Sequence, residues 1–253
     1  MALLTFSNKG IYCQQADIYI DPWRPVKNAI ITHAHSDHAR FGSSNYLCHI
    51  NSLPLLQARL GNEPNYQTLH YNEQININGV KISLHPAGHV VGSAQIRLEY
   101  NNEVWVVSGD YKTQNDGISI PFEPVKCDVF ITESTFGLPI YNWKSESEIF
   151  RQIQSWVYQN QENKQNSVIF AYSLGKAQRV LKAVSHITEN IFVHGAVYNM
   201  NEAVRKAGIE LPNYTKVDSN TDKSLLKNAV IIAPPSAMGS PWLKKFAPYQ
   251  TAV

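Results

Sequence analysis

Thr32-His33-Ala34-His35-Ser36-Asp37-His38 follows directly on the apolar run that starts at Ala29. Successive residues of an extended chain alternate between its two sides, so i and i+2 face the same way. His33 and His35 can therefore point at one ion. Ser36 or Asp37 is expected to cap a short helix, which swings Asp37 and His38 toward a second position. Imidazole suits Zn, Mn, Fe or Ni, and a carboxylate extends the choice toward harder ions. The competing reading is a chance histidine cluster on a solvated loop. Against it stands the position at the end of a buried strand, where loops carry function.

Two later segments extend this set. His89 lies in Pro86-Ala87-Gly88-His89-Val90-Val91-Gly92-Ser93, a glycine-flanked turn between two strands. Asp110 ends the strand Val104–Ser108 in Ser108-Gly109-Asp110-Tyr111. Alone, His89 reads equally as a satisfied turn histidine, and Asp110 as an ordinary turn former. Beside the first stretch, both read as ligands.

Length and composition set the frame. The 253 residues are enough for one large core, or one core and a cap. No run of about 18 apolar residues occurs, so no transmembrane helix is expected. Met1 to Gly10 lacks the basic stretch and apolar core of a signal peptide, which makes a cytoplasmic protein the default expectation. Cys13, Cys48 and Cys127 are scattered and lack Cys-x-x-Cys spacing, so all three are expected reduced and structural. Residues 1–142 carry 9 Lys/Arg against 12 Asp/Glu, and residues 143–253 carry 13 against 8. The first part thus holds the acids a metal site needs, and the second is mildly basic and could face a polyanion.

The hydrophobic pattern also changes near Trp143. Before it, Asp17–Asp21, Ala29–Thr32, Tyr46–Ile50, Val80–Leu84, Ala94–Tyr100, Val104–Ser108 and Val129–Thr132 read as strands. Ile75–Asn78 pairs with Val80–Leu84 through Asn78-Gly79, a hairpin signal. Ser52–Leu60 fits a helix, with Ser52 as N-cap, Pro54 in the first turn and Gly61 as the stop. After Trp143, Ile149, Ile153, Trp156 and Val157 lie on one helical face. Asn166–Ser173 is a buried strand, and Ala177, Val180, Leu181, Val184 and Ile187 mark another helix. Ile191–His194 then reads as a strand, Asn201–Ala207 as a helix and Ala229–Ala233 as a strand. Such alternation suggests a parallel sheet with flanking helices. Pro234–Trp242 reads as a loop.

The order H-x-H-x-D-H, a His after one strand and a Gly-Asp after another resembles the metallo-β-lactamase superfamily. The resemblance implies an αββα sandwich in which His33, His35 and His89 hold one metal, Asp37 and His38 the other, and Asp110 bridges both. Asp21 corresponds to an early Asp that supports the site from behind; its plain alternative is a turn residue before Pro22. Glu133, in Thr132-Glu133-Ser134-Thr135-Phe136-Gly137, resembles the acidic motif of the β-CASP nucleases. In that branch an α/β cap is inserted after this motif, which implies a core over 1–142 and a cap over 143–253. Tyr172-Ser173-Leu174-Gly175-Lys176-Ala177-Gln178-Arg179 resembles a strand-to-helix element of that cap. The free N–H groups of a helix that starts at Gly175 attract phosphate, with Lys176 and Arg179 adding charge. A plain helix start with two exposed cations is the other reading.

Gly10 to Cys13, Asp21 to Pro25, Thr32 to Arg40, Glu133 to Tyr141 and Ser240-Pro241-Trp242 resemble the bacterial ligase-associated DNA damage response exonucleases. That likeness implies a metal-dependent DNA exonuclease in DNA repair, with Asp37 and Glu133 as catalytic residues and two divalent ions, Zn favoured and Mn the alternative. It also implies nucleic acid as substrate, DNA favoured, an ATP-dependent DNA ligase and a helicase as partners, and no membrane. An RNA-processing nuclease, a thioester or lactone hydrolase and an inactive nucleic-acid-binding fragment are the rival readings. Members of the branch carry two more histidines after the cap. Here His49, His70, His85, His186 and His194 lack that context and are expected to be structural. A C-terminally truncated chain, with an incomplete second half of the sandwich, is therefore expected.

Overall fold

Short strands with one apolar side must pair and then stack. The computed structural model describes residues 2–253. Its first sheet contains β1 (Thr5–Phe6), β2 (Ile11–Cys13), β3 (Ile18–Ile20), β4 (Asn28–Ile30), β5 (Asn45–His49) and β6 (Asn65–Leu69), side by side in chain order. β1, β2 and β3 pair antiparallel, and β3 to β6 pair parallel. The helix α1 (Leu53–Leu60) makes the crossover that the parallel pair β5 and β6 requires. The second sheet contains β7 (Gln74–Ile77), β8 (Val80–Pro86), β9 (Ala94–Tyr100), β10 (Glu103–Val107) and β11 (Val129–Ile131), in the order β11-β10-β9-β8-β7. Asn78 and Gly79 both have positive φ and turn β7 into β8, the geometry the Asn-Gly pair predicts.

The two sheets share one core. Ile18, Ile20, Ile30 and Leu47 meet Val80, Ile82, Leu84, Ile96 and Leu98. The spacing of two within β3, β8 and β9 puts these side chains on one face. Each stabilises the fold by roughly 1.5–3 kcal/mol when fully buried. Packed this way, the sandwich holds the C-terminal ends of β4 and β10 rigidly, and the predicted ligands follow those ends.

The chain divides into two units, one running to Gly137 together with Lys206–Gly208, the other covering Leu138–Arg205 and Ile209–Val253. The second unit is built on an all-parallel sheet of β12 (Asn166–Phe170), β13 (Ile191–Val193), β14 (Thr215–Lys216), β15 (Val230–Ala233) and β16 (Tyr249–Ala252), ordered β14-β13-β15-β12-β16. Ile169, Ile191, Val193, Val230 and Ile232 pack against α2 (Glu146–Glu162), α3 (Lys176–Val184) and α4 (Gly195–Lys206) through Val157, Leu181, Val184 and Val197. The alternate residues Val168, Phe170, Phe192 and Ile231 pack instead with Val217, Leu226, Leu243 and Phe246. Burial on both faces is why these strands read as unbroken apolar runs.

Several local expectations need correction. Ser52 precedes α1 but does not cap it, because its hydroxyl donates to the Gly92 carbonyl at 2.8 Å. A 3-10 turn over Ile50–Ser52 leads in instead, and His49 caps it by accepting the Asn51 N–H on Nδ1. α4 begins at Gly195, six residues before the expected start, because His194 Nδ1 accepts the Ala196 N–H. The stretch after Pro234 is not a plain loop; it contains two 3-10 turns, and β16 follows. Cys13, Cys48 and Cys127 are free thiols, the first two buried. Among the described residues no helix is long and apolar enough to cross a membrane.

His49 also makes stability depend on pH. Burial, with a smaller push from His70, lowers its pKa to about 4, and its Nδ1 must stay unprotonated to accept the Asn51 N–H. An unfolded histidine titrates near about 6.5. The contribution is therefore full above that pH and is lost as the pH falls toward about 4, because only the unfolded chain binds the proton readily. Urea unfolding is expected to show a loss of roughly 1–3 kcal/mol over this window that shrinks in His49→Gln. Equal pH profiles for the two proteins would exclude this role.

Candidate metal centre

β4 delivers the chain to Thr32, and the loop after it carries the first candidate ligands. The helix expected after Ser36 is a single turn, in which the N–H groups of His38 and Ala39 both donate to the His35 carbonyl. That turn brings Asp37 beside His38, whose ring nonetheless stays 4.1 Å from that of His33. His89 comes from the turn between β8 and β9, where the buried Ser93 hydroxyl accepts the N–H groups of His89 and Val90. Asp110 comes from the loop after β10. Gly109 has φ +56°, and a Cβ there would lie 2.6 Å from Thr32, so the backbone comes this close only as glycine.

Metal-ligating atoms of His33, His35, His89 and Asp110 all lie within 4.8 Å of one another. His35 turns Nδ1 inward, 3.0 Å from His33 Nε2 and 3.2 Å from His89 Nε2. The two oxygens of Asp110 face different groups. Oδ2 lies 3.6 Å from His89 Nε2 and 3.9 Å from His33 Nε2, while Oδ1 lies 3.3 Å from His38 Nε2. Asp37 Oδ2 stands 3.6 Å from that same His38 nitrogen. The donors thus form two adjoining groups with one carboxylate between them, a set suited to borderline divalent ions.

Behind the ligands a second set of contacts fixes which nitrogen points inward. Asp21 accepts the Thr32 N–H at 2.8 Å, the Thr32 hydroxyl at 2.5 Å and His38 Nδ1–H at 2.6 Å. With its proton given to Asp21, the Thr32 oxygen accepts from His33 Nδ1, 3.0 Å away. His33 and His38 therefore both present Nε2 to the centre, the ligand orientation that such outer partners impose. Arg59, on α1, donates from Nε to the Ala34 carbonyl at 2.7 Å and braces the loop from the other side. Thr32, Arg59, Ser93 and Gly109 escaped the sequence reading. Only Thr32 and Gly109 carry a signal there, each standing directly before a ligand.

The metal-free protonation pattern divides the centre. Burial, then the neighbouring His38, His35 and His89, holds the pKa of His33 well below the usual histidine value. Burial and His35 lower His89 to about 4. Burial also pushes His38 down, but the hydrogen bonds it donates to Asp110 and Asp21 outweigh it and raise the pKa to about 10. His33 and His89 are thus ready to bind a cation at neutral pH, whereas His38 must first release a proton.

No family model matches the chain. Over 246 residues it is 27% identical to a probable DNA ligase of Opitutus terrae, covering 96% of this chain and 24% of that one. It is 33% identical over 119 residues to cleavage and polyadenylation specificity factor subunit 3 of Dictyostelium discoideum, covering 46% of this chain and 15% of that protein. An RNase J-like protein of Methanocaldococcus jannaschii is 26% identical over 195 residues, 73% of this chain and 40% of its own length. These relatives are nucleases of the β-CASP branch of the metallo-β-lactamase superfamily, and the chain is similar to them at modest identity. It spans less than half the length of each of these relatives. A crystal structure of a protein of unknown function from Enterococcus faecalis shares the fold, with a TM-score of 0.60 at 13% identity over 81% of this chain and 57% of that one. The α/β architecture is accordingly that of a metallo-β-lactamase-like sandwich.

Two further motifs of the chain have their own partners. Glu133 follows β11, its N–H directed at the Ser108 hydroxyl, and its carboxylate accepts the Thr135 N–H at 2.6 Å. It lies near enough to His89 to favour that residue's charged form. In the second unit, the Gly175 N–H is already taken by the Gln178 side chain at 2.6 Å. Arg179 pairs with Glu146 at 2.9 Å, and Lys176 lies over the Tyr172 ring. The buried Gln178 also donates to Asn201 on α4, which makes it a joint between two helices.

Proposed function

We propose that this chain carries the metal centre of a nuclease that hydrolyses phosphodiester bonds, with DNA as the favoured substrate and exonucleolytic repair of DNA ends as the favoured role. The observation that carries the reading is Asp110, whose two oxygens face two separate ligand groups. His33, His35 and His89 would hold one divalent ion, Asp37 and His38 the second, and Asp110 would bridge them. Zn fits this set, and Mn is the alternative. Two such ions supply an activated water and stabilise both oxygens of an in-line displacement at phosphorus.

The residues themselves orient and buffer that chemistry. Asp37 is 70% exposed, so its carboxylate would face solvent at the open side of the centre. Asp21 and Thr32 keep His38 and His33 in register. Glu133, held by the Thr135 N–H and close enough to act on the charge of His89, would serve as an orienting acid. Gly175, Lys176 and Arg179 would take a backbone phosphate, which must compete with Glu146 for Arg179 and with Gln178 for the Gly175 N–H. DNA is favoured because the similarity to the probable DNA ligase runs through almost the whole chain. A ligase and a helicase acting on the same ends are the partners this reading implies. The similarity to a cleavage and polyadenylation factor and to an RNase J-like protein favours RNA as the second reading.

The test is a gel time course on end-labelled single- and double-stranded DNA and matching RNA with Zn or Mn. Stepwise, metal-dependent shortening of DNA is the expected result. Preferential cleavage of RNA would replace DNA in the assignment. Turnover of a thioester with every nucleic acid left intact would remove the nuclease reading altogether.

A further inference from the structure

One pocket beside the metal loop is not used by anything above. It has a volume of about 370 Å³ and is lined by Trp23, Ser36, Ala39, Arg40, Phe41 and Arg59. That volume falls in the range of about 300–1,000 Å³ found for small-ligand sites. Its chemistry is unusual for a plain surface. Trp23 is 45% exposed and Phe41 65%, although large aromatic rings normally gain by burial. Two guanidinium groups stand with them, and no acidic side chain lines the pocket.

Three of these side chains are also held by hydrogen bonds. The Trp23 indole N–H donates to the Asn8 carbonyl at 2.9 Å, which fixes the ring by its edge. Arg40 Nε is directed at the Asp37 carbonyl at 3.3 Å, and Arg59 Nε donates to Ala34. Gly42, at φ +99°, lets the chain after Phe41 lie against Pro25, where a Cβ would clash at 2.8 Å. Trp23, Arg40 and Arg59 are therefore positioned in advance, and Ser36 and Arg40 on the pocket wall lie on either side of Asp37 in the chain.

We propose that this pocket is a nucleotide subsite, in which a base stacks on Trp23 or Phe41 while Arg40 binds the phosphate next to the one at the metals. The inference rests on the nuclease reading and adds to it where the neighbouring nucleotide sits. Exposed aromatic faces accept any base, since every base has a π-face, and interleaved arginine follows the backbone. The pocket's charge complements a polyanion. Its place on the metal loop ties that polyanion to the reacting phosphate.

The test is binding of a phosphorothioate-linked dT oligomer and its RNA counterpart to the Zn-loaded chain, read by anisotropy at several salt concentrations. Trp23→Ala is expected to weaken binding by about 5- to 100-fold, and Trp23→Phe to restore most of it. Arg40→Gln is expected to lower the salt slope by about one unit. Phe41→Ala, at an exposed position, supplies a variant whose fold is not at risk, and melting temperature and metal content control all four. If all four variants bind within twofold of the parent, the subsite is wrong and the nuclease reading stands. If the parent binds neither oligomer yet hydrolyses bis(p-nitrophenyl) phosphate, the subsite again fails while the phosphodiesterase chemistry survives.

Discussion

Asp37→Ala is expected to cut metal-dependent phosphodiester turnover by at least about 10³-fold, equivalent to about 4 kcal/mol of transition-state stabilisation. Stability should change by no more than about 0.5 kcal/mol, because the side chain is 70% exposed and supports no packing. The two effects separate because Asp37 faces the second ligand group, 3.6 Å from His38 Nε2, but carries no structural contact through its carboxylate comparable to that of Asp21. Metal content should fall toward one ion per chain, since His33, His35, His89 and Asp110 remain clustered. Kinetics on the labelled oligomer, urea unfolding and elemental analysis together check this. A variant that retains near-parental turnover would remove Asp37 from the centre. One that loses activity only by unfolding would leave its chemical role without support.

Much of this clustering is legible in sequence because four of the candidate ligands are local. His33, His35, Asp37 and His38 fall within six residues, and alternation followed by one tight turn is enough to divide them between two groups. His89 and Asp110 are legible only as partners of that stretch, since a turn histidine or aspartate alone is ambiguous. What sequence hides is the bracing. Arg59 reaches the metal loop from α1 through its side chain, and no local pattern announces such a contact. Caps fail for a related reason. His49 and His194 fill positions that Ser, Thr, Asp or Asn usually occupy, so a search for those residue types places the helix starts wrongly. Ser52 has the favoured residue type, yet its hydroxyl is drawn to Gly92 by the tertiary fold. β6 is hidden in the sequence because its burial alternates between exposed and half-buried until Leu69, the pattern of an edge strand with little apolar content. The phosphate element shows the limit from the other side. Gly175, Lys176 and Arg179 suggest an anion site by type, but Gln178 and Glu146 already satisfy two of them.

Asp21→Ala is expected to lower affinity for the second metal by about 10- to 100-fold, although Asp21 is not itself placed as a ligand. Its carboxylate accepts three hydrogen bonds, from the Thr32 N–H, the Thr32 hydroxyl and His38. Without it, His38 loses the partner that fixes its ring and Thr32 loses the acceptor that frees its oxygen for His33. Losing one of the two acids that keep the half-buried His38 charged in the metal-free protein eases its deprotonation, which offsets part of this loss but does not restore the ring's orientation. Stability should fall by roughly 1.5–3 kcal/mol, the scale of a hydrogen bond to a charged group. Backbone strain adds to this, because Asp21 sits at φ +43° and aspartate tolerates that region better than alanine does. Asp21→Asn separates the two contributions, since it keeps the conformational tolerance but turns an amide toward Thr32 or His38. Competition with a zinc chelator and urea unfolding read the two effects side by side. The expected result is weak second-metal binding in both variants, with the larger loss of stability in Asp21→Ala. Parental metal affinity in both would mean that the loop geometry, and not Asp21, sets the orientation of His38.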